Sequence, residues 1–224
     1  MMIIENALQK INRYNQLCLH YNMVAEGIYK ARDTQEDLFG TSFLPYLVAG
    51  LISFDLGRMM GKGTEGKYDP EGNGFASQLM NKLQKIRPHL QHLTHLRLSD
   101  INLLQESGNI TAAYRCLSSA GRGCLNQNGD EFHVGATKIM HFINPELLIM
   151  VDSNSARALR MAHNVGYRNT TQPGYCDANY IQSLKYAQTD INAFGVNEFC
   201  SLENGMPMAR IYDKLAFAVG AEWP

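Results

Sequence analysis

Charge is scarce in this chain. Of its 224 residues only 18% are Asp, Glu, Lys or Arg, and the two signs nearly cancel to a formal net charge of −1. The basic excess that marks most nucleic-acid binders is missing, so any contact with a polyanion must come from a local basic face. Paired cysteines are missing too. Cys18, Cys116, Cys124, Cys176 and Cys200 form an odd set with no Cys-x-x-Cys spacing, which argues against a zinc ribbon or a disulfide framework and predicts reduced thiols in a cytoplasmic protein. The most apolar run, Phe43–Phe54, is interrupted by Pro45 and closes at Asp55, too short to cross a bilayer. The opening MMIIENALQK reads as neither a signal nor a transit peptide. No Gly-x-Ser-x-Gly, His-Glu-x-x-His or dinucleotide fingerprint occurs. No window alternates Val, Ile and Thr as a strand would. What is left is an all-α, multi-helix bundle with no expected metal, cofactor or membrane partner. It is long enough for a substantial core, as one domain over 1–224 or as two packed subdomains, 1–107 and 108–224.

Apolar periodicity supplies the helices. Met2–Ala31 reads as one long helix ending at Asp33 and Thr34. Ser42–Met60 is apolar on nearly every side, which places it at the centre of the bundle. Gly61–Gly74 is a long glycine-rich loop, GKGTEGKYDPEGNG. Phe75–Ile86 and Pro88–Leu98 read as two helices, Ser99–Glu106 as a short piece, and Asn109 as the cap of Ile110–Ala120. After a polar loop, Gly121–Asp130, comes the densest stretch of the chain. Beyond it, Ala178–Phe194 closes at Gly195, and Val196–Glu203 and Pro207–Val219 complete the sequence.

That dense stretch is Glu131–Asp152, EFHVGATKIMHFINPELLIMVD. Ile139, Phe142 and Ile143 fall on one helical face, and Asn144-Pro145 stops the helix and starts another. Leu147–Val151 is apolar throughout and therefore buried. Asp152-Ser153-Asn154-Ser155 offers cap oxygens to a further helix, Ala156–His163. The order Gly135, Lys138, apolar helix, apolar segment, Asp152 at a helix start resembles the helix-hairpin-helix superfamily of DNA glycosylases. Within it, the archaeal-type 8-oxoguanine glycosylases are most similar. The resemblance runs from about Gly108 to the C-terminus and extends to the terminal helix that carries Asp213. It implies a lysine nucleophile at Lys138, an assisting carboxylate at Asp152, and DNA held partly through Gly135. Two departures are plain. The family's hairpin has two glycines where this chain has Gly135 and, in place of the first, His133. Lys138 and Asp152 are 14 positions apart, shorter than in the family by roughly one turn.

Lys138 as nucleophile requires burial or a neighbouring cation to favour its neutral form, and a nucleotide turned out of the stack. Arg58, Lys62 and Lys67, on the glycine-rich loop and its approach, have the chemistry to hold a phosphate backbone, although Gly57–Thr64 lacks Walker spacing and follows a helix rather than a strand. His89, His92 and His95 recur every third position, but their rings span about 9 Å of helix axis and alternate with core-type leucines. Cys124, in a glycine-rich loop beside Arg122, is the one thiol whose setting could lower its pKa, and burial without function is the reading that fits it better. Two other readings fit the same residues. One is a non-catalytic member of the architecture that binds nucleic acid or protein. The other is an unrelated helical interaction module in which Lys138 and Asp152 are structural.

Overall fold

A computed structural model describes residues 3–54, 74–121, 124–125, 131–168 and 174–222, and among them it has ten α-helices and no strand. The first helical pattern is interrupted at Cys18, whose φ of −118° and ψ of 33° leave the helical region, so the expected long helix is two: α1 (Ala7–Leu17) and α2 (Leu19–Asp33). After α3 (Leu44–Phe54), α4 (Phe75–Leu90) runs straight through Pro88. The proline sits in the last turn, where its missing N–H costs a single bond, and a 3-10 turn, Gln91–Leu93, follows in place of a second helix. α5 (Leu103–Ser118) starts earlier than the Asn109 cap predicts. Its cap is Asn102, whose side chain accepts from the Leu104 and Gln105 amides, and Asn109 lies inside the helix, donating to Glu106.

The remaining elements are α6 (His133–Ile143), α7 (Ser153–His163), α8 (Asp177–Phe194), α9 (Val196–Ser201) and α10 (Met208–Gly220). Asn144-Pro145 does stop α6, but the apolar run beyond it is a turn and then an irregular segment rather than a helix. All of Leu147–Val151 is buried, as its composition requires.

The central helices are not the one expected from hydropathy. α3 leaves Pro45, Tyr46, Ala49 and Ile52 in solvent and buries only Leu47, Gly50 and Leu51. Every residue of α6 from Gly135 to Ile143 is buried, and so is every residue of α10 except Phe217. α10 packs chiefly on α7 and α1, while α6 is covered by α5, α2 and α3. One continuous apolar core joins Ile3 to Val219. Among the described residues no helix is long and apolar enough to cross a membrane.

Candidate active site around Lys138 and Asp152

α5 and α6 are held end to end by a backbone bond, the Phe132 amide donating to the Ser118 carbonyl at 2.9 Å. The first turn of α6 is then latched to the segment that precedes α7. The Thr137 hydroxyl donates to Val134 O at 2.9 Å and accepts from the Val151 amide at 3.0 Å. Both hydrogen-bonding capacities of one buried hydroxyl are used, which fixes its rotamer. The residues that follow the two ends of this latch are Lys138 and Asp152.

Lys138 is 7% exposed. Its ammonium donates to the Phe54 carbonyl at 3.1 Å and lies 5.7 Å from the centre of the Phe54 ring. The guanidinium of Arg210 approaches the same ring at 5.9 Å. Asp152 is half-buried and caps α7, its Oδ1 accepting from the Ser155 amide at 2.9 Å. Among the described residues no hydrogen bond engages its other oxygen. The charge of Asp152 reaches Tyr14, Cys18 and Asp213.

Behind the pair, α10 contributes a buried polar face that the sequence did not reveal. Arg210 is 2% exposed and donates to the Tyr14 hydroxyl at 3.0 Å and to Asn22 Oδ1 at 3.2 Å, with the Tyr14 ring 5.0 Å away. Asn22 donates on to Asn15, which shares Glu203 with Lys214. The Lys214 ammonium, fully buried, has three acceptor atoms at 2.6–2.9 Å, two on Glu203 and one on Asn15. Burial pushes the Lys214 amine down, and the Glu203 carboxylate works against this. Arg210, Asp213 and Lys214 stand at i, i+3 and i+4. A charged stripe inside an otherwise apolar helix was the one available signal, and it ordinarily marks a solvent face.

Asp213 accepts the Met150 amide on Oδ1 at 2.8 Å, while among the described residues its buried Oδ2 and the buried Nε of Arg210 have no hydrogen-bond partner. Burial drives the Asp213 carboxyl well above the usual carboxylate range, with Arg210 and the Met150 amide opposing and Asp152 adding to the rise. His141 is fully buried beside it. Its Nδ1 donates to the Leu148 carbonyl at 2.6 Å and its Nε2 shares a hydrogen bond of 2.6 Å with the Tyr29 hydroxyl, so both ring nitrogens are engaged. Burial, with Arg210 nearby, pushes His141 down to about 3. His141 Nδ1 also approaches Asp213 Oδ2 to 3.5 Å.

The other expected site residues scatter. Gly135 is buried in the first turn of α6 under the Phe132 ring, which occupies the place a Cβ would take. A packing need thus accounts for the glycine. Arg58 and Lys62 lie outside the described residues. His92 bonds Glu106 at 2.9 Å and His89 meets Asn109 at 3.3 Å; no group of three metal-ligating side chains is assembled among the described residues. Cys124 is buried, and all five cysteines are free thiols. Comparison of the chain with protein-family models, curated proteins and solved structures gives no match.

Proposed function

We propose that this chain is a base-excision DNA glycosylase with lyase activity, in which Lys138 is the nucleophile and Asp152 assists. The observation that supports the reading is the Thr137–Val151 latch, which joins the residue before a lysine that is 7% exposed to the residue before a helix-capping carboxylate. A lysine nucleophile works best shielded from water, and Lys138 is 7% exposed.

The chemistry is an exchange at the sugar C1′ of a nucleotide turned out of the duplex. The neutral amine forms a C1′–N bond as the glycosidic bond breaks, and its electron pair leaves with the base, which takes up a proton. The sugar ring opens to a protonated imine, and loss of a C2′ proton then expels the 3′ phosphate. The Asp152 carboxylate offsets the positive charge that grows at the sugar. A net charge of −1 favours a second reading, a helical module without catalysis that binds nucleic acid or protein.

Base release decides between them. Duplexes that each carry one oxidised or deaminated base are incubated with the wild type and with Asp152→Asn. Asn keeps the cap, so the variant should fold normally yet release base about a hundredfold more slowly. Absence of base release by the wild type over the whole panel leaves the non-catalytic reading in its place.

A further inference from the structure

Two contacts to the Lys138 amine come from a single residue. Nζ donates to the Phe54 carbonyl at 3.1 Å and lies over the Phe54 ring, 5.7 Å from its centre. A charge-assisted bond to oxygen and the face of an aromatic ring both attract an ammonium more than a neutral amine. An ammonium has no electron pair to offer an electrophile. Phe54 in turn has neighbours of two kinds. Phe142, at 5.6 Å between ring centres, and the Arg210 guanidinium, at 5.9 Å, belong to residues that are 0% and 2% exposed. Tyr21, whose ring is 4.9 Å away and tilted by 36°, is only half-buried, as Phe54 itself is.

We infer that Phe54 is an autoinhibitory contact: it holds Lys138 in the resting protein, and the amine is released when Phe54 and its neighbour Tyr21 turn aside. The inference rests on the reading of Lys138 as nucleophile and adds the regulation of that site. Lys138 is 7% exposed, which closes it to a sugar carbon, so a residue beside it has to move before a bond can form. Phe142 lies in the closed core and Arg210 is tied to Tyr14 and Asn22, so neither moves without opening the core. Two half-buried rings turn toward solvent with less loss of packing. Because carbonyl and ring belong to one residue, one shift of Phe54 uncovers the amine and withdraws both contacts that favour its charged form. The hydrogen bonds of Arg210 to Tyr14 and Asn22 do not involve Phe54, and the network behind the site stays in place.

The test is the reactivity of Lys138 in the full chain. Formaldehyde with cyanoborohydride methylates accessible neutral amines, and peptide mass spectrometry follows Lys138 against Lys185, an exposed lysine of α8, and Lys214, which is fully buried. Phe54→Ala should raise the rate at Lys138 relative to Lys185 by roughly tenfold, the order of one cation–π contact. Tyr21→Ala, which leaves α3 unaltered, should raise it by a smaller factor. Circular dichroism and Tm certify the fold, and if Phe54→Ala does not fold, Tyr21→Ala decides alone. An unchanged relative rate in the folded variants overturns the inference. An equal rise at Lys214 also overturns it, since that means a loosened protein rather than a released amine. A parallel sample with an abasic single strand and borohydride keeps the two readings apart. If wild type and variants all fail to trap DNA, the glycosylase reading fails, while a selective rise at Lys138 with formaldehyde still establishes Phe54 as the restraint on that amine.

Discussion

The Thr137 hydroxyl accepts the Val151 amide at 3.0 Å, and through that bond the helix carrying Lys138 is joined to the segment that ends in Asp152. The segment is irregular because Asn144-Pro145 ends α6, and the apolar side chains of Leu147–Val151 beyond it are buried. Its amides therefore need partners from elsewhere. Thr137 supplies one to Val151 and Asp213 supplies one to Met150.

Thr137→Val removes the acceptor without changing the shape and leaves the Val151 amide unpaired in the core. An unsatisfied buried donor costs about 1–3 kcal/mol, to be read from urea unfolding. Any trapping activity should fall further than stability does, because Lys138 and Asp152 lose their common register. A variant as stable as the wild type would show that the latch is incidental.

Gly220 ends α10 where the Asn154 backbone crosses it, and a Cβ there would meet the Asn154 carbonyl and Cα. Backbone cannot move aside as a flexible side chain can. Gly220→Ala should therefore destabilise by about 2 kcal/mol or more through overpacking, and it should disturb the Asp152 cap two residues before Asn154. Gly108, which has open space around its Cβ position within α5, is the control. Gly108→Ala should be neutral or slightly stabilising. Equal effects at the two positions would contradict the packing account.

His141 predicts a pH dependence with a definite sign. Its ring is held neutral in the fold, pushed down to about 3 from the ordinary 6.5. Between those values the unfolded chain binds the extra proton, so stability is complete above pH 6.5 and is lost progressively as pH falls toward 3. From pH 7 to pH 5 this one group should remove about 2 kcal/mol. In His141→Gln the amide can still donate to Leu148 and accept from Tyr29, and that part of the slope should vanish. A slope unchanged in the variant would place the acid sensitivity elsewhere.

Arg210 and Asp213 should respond unequally to neutral replacements. Arg210→Met strips two hydrogen bonds and the ring contacts from Tyr14, Asn22 and Phe54, a loss of about 3 kcal/mol or more for a broken buried polar network. Asp213→Asn keeps an oxygen for the Met150 amide and matches the neutral form toward which burial drives this carboxyl. It should cost about 1 kcal/mol or less. Thermal denaturation of both variants compares them, and a larger loss for Asp213→Asn would mean that its ionised form holds the fold together.

Local chemistry in the sequence carried part of this architecture and long-range pairing the rest. Helix stops set by short-range rules were legible: Asp152 caps α7, and Gly195 closes α8 with φ at 101°. The break at Cys18 was not, because its cause lies in the Tyr14 and Arg210 partners that hold the residue from within. Hydropathy pointed to α3 as the central helix because it is the most apolar, yet α10 takes that place while carrying Arg210, Asp213 and Lys214. Those charges are tolerated by partners 196 and 199 positions away in Tyr14 and Asn15, a distance over which no pattern in one sequence speaks. The family resemblance led to Lys138 and Asp152 being expected as a pair, whereas the bond that joins their neighbours Thr137 and Val151 had no signal in the sequence, since a threonine at that position reads as an ordinary helix residue.

The most direct measurement of the central claim is where a covalent bond to DNA forms. Borohydride reduction of the wild type with an abasic duplex, followed by proteolysis and mass spectrometry, should find the deoxyribose remnant on Lys138, and Lys138→Gln should give no adduct while retaining the wild-type circular dichroism spectrum. An adduct on any other lysine, or trapping that persists in Lys138→Gln, would contradict the account.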